Sequence, residues 1–120
     1  MNLIIDEGRE FISTHEFDNQ WERMGLDDND LRKLENEIIK NPKVGKVIQG
    51  TGGLRKMRYA LEDKGKSGGS RVLYVDFVIF EKVYFIYTYP KGVKEDITPI
   101  ERKQFKNLIT KIEKALGDKK

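Results

Sequence analysis

Arg71-Val-Leu-Tyr-Val-Asp-Phe-Val-Ile-Phe80, the pair Glu81-Lys82, and Val83-Tyr-Phe-Ile-Tyr-Thr-Tyr89 form the stretch that decides the fold. Val, Ile, Tyr and Phe dominate both apolar runs, the composition of strands packed on a pleated, half-buried surface. Glu81-Lys82 is the only polar break between them, so the runs read as an antiparallel pair. Upstream, Leu54 to Leu61 predicts a longer strand and Val47 to Gln49 a short one. Glu62 to Ser70 predicts a loop of Gly, Lys and Ser.

Before Pro42 the pattern is helical. Phe17, Trp21 and Met24 recur at helical spacing around Glu16 to Arg23, and Gly25 ends that segment. A second helix is expected from Asp28 to Lys40, with acids at its start, an apolar stripe of Leu31, Leu34 and Ile38, and Asn41-Pro42 as its stop. Leu3, Ile4 and Ile5 suggest a short first strand. At the other end, Thr98-Pro99-Ile100-Glu101 combines a capping-box Thr and Glu with Pro at the first helical position. Phe105, Leu108, Ile109, Ile112 and Leu116 then supply one apolar face. The order predicts an α+β fold: two amino-terminal helices, a curved antiparallel sheet and a carboxy-terminal helix.

Composition bounds the class. The 120 residues suit one domain spanning 1–120, and 38% hydrophobic with 36% charged residues reads as globular. The absence of cysteine removes disulfide and thiolate-zinc chemistry. The start Met-Asn-Leu-Ile-Ile-Asp-Glu lacks a basic leader, and no run approaches the roughly 20 apolar residues of a membrane span, so a cytoplasmic protein is expected.

Charge is distributed unevenly. Residues 1–41 carry 11 acidic and 5 basic side chains, whereas residues 42–120 carry 9 acidic and 18 basic ones. Such asymmetry is the footprint of a surface that grips a polyanion. The cations concentrate in Asn41-Pro-Lys-Val-Gly-Lys-Val-Ile-Gln-Gly-Thr-Gly-Gly-Leu-Arg-Lys-Met-Arg58 and again at Ser70-Arg71 behind paired glycines. Alternate residues of a strand share a face, so Lys56 and Arg58 point together, with Arg55 and Met57 opposite. Arg71 on a neighbouring strand would join them, and Lys91 and Lys94 follow the last strand to the same end. Gly50, Gly52, Gly53, Gly68 and Gly69 are expected to allow positive φ in turns that aim these cations.

Several catalytic templates fail. Gly65-Lys66-Ser67 resembles the end of a phosphate-binding loop, but Ala60 stands where its first glycine belongs and no helix follows. One histidine, His15, builds neither a multi-histidine metal site nor a hydrolase triad near a glycine-framed serine. Gly50-Thr-Gly-Gly53 precedes a strand, not a helix, so the dinucleotide fingerprint fails too. No metal or small-molecule cofactor is indicated.

The blocks NPKVGKVIQGTGGLRKMR, GKSGGSRVLY and YFIYTYPKGVKEDIT resemble, in order and spacing, the HigB branch of the RelE-type toxins of bacterial toxin–antitoxin systems, over about residues 38–110. The resemblance implies a small α+β fold with a four- to five-stranded, mostly antiparallel sheet. It also implies a ribosome-dependent endoribonuclease that cuts translated messenger RNA, and a partner antitoxin that in this branch is often a helix-turn-helix DNA-binding protein. Residue by residue, it places Lys56 and Arg58 in the family's basic strand, Arg71 after the glycine loop, and Lys91 with Lys94 in the carboxy-terminal basic segment. Two positions depart from the family: Thr98 stands where a tyrosine is common, and Lys94 where an arginine is.

RNA cleavage through the substrate's own 2′-hydroxyl requires in-line alignment, proton transfer and charge stabilisation, which fixed cations supply. On that reading the catalytic set is Lys56, Arg58, Arg71 and Lys94. Arg71 stabilises the phosphate, Lys56 transfers a proton with its pKa lowered by neighbouring cations, and Arg58 and Lys94 position the backbone. Arg55, Lys64, Lys66 and Lys91 would bind RNA, and Tyr87 or Tyr89 would stack on a base. Two other functions fit the same composition: an RNA- or ribosome-binding module without cleavage, and a protein-interaction domain whose basic face meets an acidic partner.

Overall fold

Phe17, Trp21, Leu34 and Ile38 lie buried on one face of a sheet, against Met57, Tyr59, Val72, Tyr74, Val83 and Phe85. This is the core that the amino-terminal periodicity predicts. The structure is a computed structural model that describes residues 9–60, 69–94 and 96–118. The described elements are β1 (Glu10–Ser13), α1 (His15–Arg23), α2 (Asp28–Lys40), β2 (Lys46–Val47), β3 (Arg55–Tyr59), β4 (Ser70–Phe77), β5 (Lys82–Pro90) and α3 (Pro99–Asp118). The strands form a five-stranded sheet in the order β1-β5-β4-β3-β2. β1 runs parallel to β5, and the other neighbours are antiparallel. No helix among the described residues is long and apolar enough to cross a membrane.

Each helix starts where its capping residues stand. Thr14 accepts a hydrogen bond from the Phe17 amide (3.0 Å) and donates its hydroxyl to the Ile86 carbonyl (2.7 Å), so the cap of α1 also fastens it to β5. Asp27 and Asp30 form a reciprocal capping box at α2. Phe17 stacks on Phe85 (4.9 Å between ring centroids) and Trp21 (5.3 Å), giving this layer aromatic packing worth more than its area alone. The Trp21 indole donates to the Asp27 carbonyl (3.1 Å), and the Tyr59 hydroxyl donates to that of Asp30 (3.0 Å).

The opposite face is closed by α3. Leu54, Leu73, Val75, Phe77, Ile86, Tyr89, Ile97, Ile109 and Leu116 are buried there. The Thr98 and Glu101 capping box is formed, with the Thr98 amide donating to Glu101 (2.9 Å) and the Glu101 amide to Thr98 (3.1 Å).

The strand boundaries differ from the expected ones for physical reasons. β4 ends at Phe77, and Val78–Phe80 form a single 3-10 turn closed by Glu81 at φ 56°. A two-residue reversal needs left-handed backbone, and Glu81-Lys82 contains no glycine to supply it, so the turn recruits residues that read as strand. The sequence gives no sign of β1, because Glu-Phe-Ile-Ser is too short to display a period. The expected strand at Leu3 to Ile5, most of the loop at Glu62 to Ser70, and Gly68 lie outside the described residues. The positive φ expected of the other glycines occurs at Gly50, Gly52, Gly53 and Gly69.

Candidate active site

The register of the three central strands assembles the site. Arg58 pairs with Arg71 across β3 and β4, and Arg71 pairs with Tyr89 across β4 and β5. The adjacent row on the same face is Lys56, Leu73 and Tyr87. Directly paired residues of antiparallel strands share a face. Lys56, Arg58 and Arg71 therefore stand on one wall, the face that α3 packs against further along.

Gly69 sets that register. Its φ is 64°, and a Cβ there would lie 2.1 Å from the Tyr59 carbonyl oxygen, so any side chain would push β4 away from β3. The Gly69 carbonyl accepts from the Lys91 amide (3.1 Å), which ties the end of β5 to the start of β4. From the other face, the buried Thr88 hydroxyl donates to the Arg71 carbonyl (2.7 Å) and holds the backbone beneath the guanidinium.

The segment after β5 and the first turn of α3 bring two acids to this wall. Lys56 Nζ lies 3.8 Å from Asp96 Oδ1. Lys94 pairs with Glu101, whose carboxyl is held below its ordinary value of 4.5 first by the hydrogen bond from Lys94 and then by the Thr98 amide. Lys94 Nζ also lies 5.9 Å from the centroid of the Tyr89 ring, a cation–π distance. Neither acid belongs to the sequence-predicted site. The capping-box spacing marks Glu101 as a helix cap, but nothing in it shows that the same carboxylate reaches Lys94.

Arg71 and Tyr89 are the unusual pair. Arg71 Nη1 and the Tyr89 hydroxyl are buried and have no hydrogen-bond partner among the described residues. Tyr89 is 1% exposed, and burial raises its pKa above the ordinary 10.0, with the Arg71 charge opposing. Tyr87 is half-buried, with its ring 6.2 Å from that of Tyr89.

The remaining candidates separate. Lys91 is exposed at the end of β5, beside the wall. Arg55 pairs with Tyr74 on the opposite face and donates Nη1 to the Gly45 carbonyl (2.7 Å). Lys64 and Lys66 lie outside the described residues. The arrangement therefore gathers Lys56, Arg58, Arg71 and Lys94, with Tyr87 and Tyr89 in the adjoining strand.

Comparison with known proteins adds the family. Residues 11–119 match the family described as RelE toxin of the RelE / RelB toxin–antitoxin system. Similar solved structures include a mutant E. coli toxin RelE in the free state, at 14% identity and TM-score 0.51, covering 72% of this chain and 86% of that one. The intact E. coli RelBE toxin–antitoxin complex contains a chain matched at 17% identity and TM-score 0.52, covering 71% and 99% respectively. Isolated E. coli RelE matches at 14% identity and TM-score 0.50, covering 84% and 99%. At these identities the structures establish a shared fold, and the family match spans nearly all of the chain.

Proposed function

Because the chain belongs to the RelE toxin family, we propose that it is a toxin that cleaves messenger RNA on the ribosome, using the substrate's own 2′-hydroxyl, and that a cognate antitoxin holds it inactive. The observation that carries this reading is the direct pairing of Arg58 with Arg71, with Lys56 on the same face. Like charges placed opposite one another on a sheet repel, and an RNA phosphodiester relieves that repulsion.

The chemistry follows from the residue types. The 2′-oxygen attacks phosphorus, the bond from phosphorus to the 5′-oxygen breaks, and the products are a 2′,3′-cyclic phosphate and a 5′-hydroxyl. Arg71 grips phosphate oxygens with its planar fork and stabilises the charge that grows on them. Lys56 is the proposed proton-transfer group, while Arg58 and Lys94 align the backbone on either side. Lys91 extends the cationic track, and the half-buried Tyr87 offers a surface for base stacking. Arg55 contributes positive field from the opposite face of its strand.

The family's toxin–antitoxin system supports a protein partner for this chain, and a helix-turn-helix DNA-binding antitoxin is the proposed kind. Inducing the chain in a bacterium tests the reading. Growth and protein synthesis should stop, and Arg71→Ala should relieve the arrest while remaining folded. Equal harmlessness of both folded proteins would overturn it. Tight RNA binding with steep salt dependence and intact transcripts would point to a binding module instead.

A further inference from the structure

Tyr89 sits near the end of β5 with a hydroxyl that has no partner among the described residues, directly across from an arginine whose Nη1 also has none there. An unmade hydrogen bond on a buried polar group costs about 1–3 kcal/mol, so two in one cross-strand pair call for a physical reason. Tyr74 shows what the same sheet does with an ordinary buried tyrosine. Its hydroxyl accepts from the Gly45 amide (2.9 Å) and donates to the Pro42 carbonyl (2.9 Å), satisfying both capacities. The Tyr89 hydroxyl instead lies among the charges of Arg71, Asp96 and Glu101, all of which bear on its titration. Its neighbour above, Lys94, is 28% exposed, and Glu101 is 30% exposed. What lies over this tyrosine therefore includes a partly solvated ion pair that an incoming anion can exchange.

We propose that the Tyr89 hydroxyl and Arg71 Nη1 together form a two-donor pocket for one non-bridging oxygen of the scissile phosphate. The proposal rests on the cleavage reading above and adds to it a specific second donor. As phosphorus becomes five-coordinate its non-bridging oxygens gain negative charge, and preformed, desolvated donors aimed at that charge cost no reorganisation. Tyr89 gives a hydrogen bond and keeps its proton. The proton of the 2′-hydroxyl and the one delivered to the 5′-oxygen move through other groups. Burial suits this role, because a phenol with a raised pKa stays protonated at neutral pH and remains a donor. On binding, the phosphate takes the place of the Glu101 carboxylate beside Lys94.

Tyr89→Phe isolates the hydroxyl, since the ring and its packing remain. Single-turnover cleavage is measured on ribosome-bound transcripts whose cut site has been mapped with the wild-type protein, together with thermal unfolding of both proteins. The variant should cleave roughly 10²-fold more slowly, as for loss of one oxyanion donor, with a melting temperature equal to or above that of wild type. Sulfur replacing one non-bridging oxygen at the cut site should slow the wild type strongly for one diastereomer, and Tyr89→Phe should lose most of that selectivity. A rate within twofold of wild type with unchanged sulfur selectivity overturns the proposal. So does a slower rate accompanied by a lower melting temperature, which would mean that the hydroxyl serves the fold through a bridging water. Failure of the cleavage reading looks different, because the wild-type protein would then leave every transcript intact.

Discussion

Arg58 and Arg71 stand directly opposite each other on neighbouring antiparallel strands, two permanent cations on one face of the sheet. A sheet selected for stability alone would set an acid or an apolar residue in one of these places. Their juxtaposition ties fold stability to the presence of an anion.

Arg58→Gln should therefore stabilise the free protein by about 0.2–1 kcal/mol at low salt, the scale of a cross-strand pair. It should also weaken RNA binding and reduce the slope of log affinity against log salt by about one. Denaturant melts and binding titrations at several salt concentrations check both halves.

Tyr74→Phe should have the opposite effect on stability. It leaves the Gly45 amide and the Pro42 carbonyl without the hydroxyl that both use, at a cost of about 1–3 kcal/mol. Urea unfolding of this variant beside Tyr89→Phe compares two buried tyrosines, one satisfied within the fold and one not.

Glu101→Gln should expose the acid dependence of the segment over the site. The wild-type carboxyl is depressed below 4.5 in the folded state, so its stabilisation is present above that value and is lost as pH falls through the folded value. The stability gap between wild type and variant should close in that window and stay flat from pH 5 to 8. At neutral pH the variant should bind RNA more tightly, because Lys94 is released from its internal anion.

Gly69→Ala should damage fold and activity together. A methyl group 2.1 Å from the Tyr59 carbonyl, on backbone at φ 64°, cannot be accommodated without moving β4 against β3. A loss of more than about 1 kcal/mol is expected. Cleavage should fall further than the fraction unfolded explains, because Arg71 shifts relative to Arg58 and Lys56.

The parts of this molecule that were legible in the sequence are those with strong local signals. The α2 boundaries follow from Asp28 and Asn41-Pro42, and α3 follows from Thr98-Pro99 and its apolar stripe, of which Phe105, Ile109, Ile112 and Leu116 face the sheet while Leu108 is exposed. The face shared by Lys56 and Arg58 follows from strand alternation, and Arg71 joins it because β4 lies beside β3. What escaped has no local pattern. β1 takes its place through parallel pairing with β5, 72 residues further along the chain, and through Phe11 packing on the core. The turn at Val78–Phe80 reads as strand because its residues are apolar, and the reversal at Glu81 overrides that preference. The contacts of Asp96 with Lys56 and of Glu101 with Lys94 depend on where the segment after β5 and the first turn of α3 lie. The missing partner of Tyr89 is visible only once its neighbours are in place.

The most direct measurement is the chemistry of transcript ends in a purified translation reaction containing the wild-type protein or Arg71→Ala. The wall of Lys56, Arg58 and Arg71 predicts wild-type fragments ending in a 2′,3′-cyclic phosphate, each matched by a fragment starting with a 5′-hydroxyl. Arg71→Ala, with its melting temperature unchanged, should produce at least roughly 10²-fold less. Intact transcripts beside folded, ribosome-bound wild-type protein, or equal cleavage by Arg71→Ala, would contradict the account.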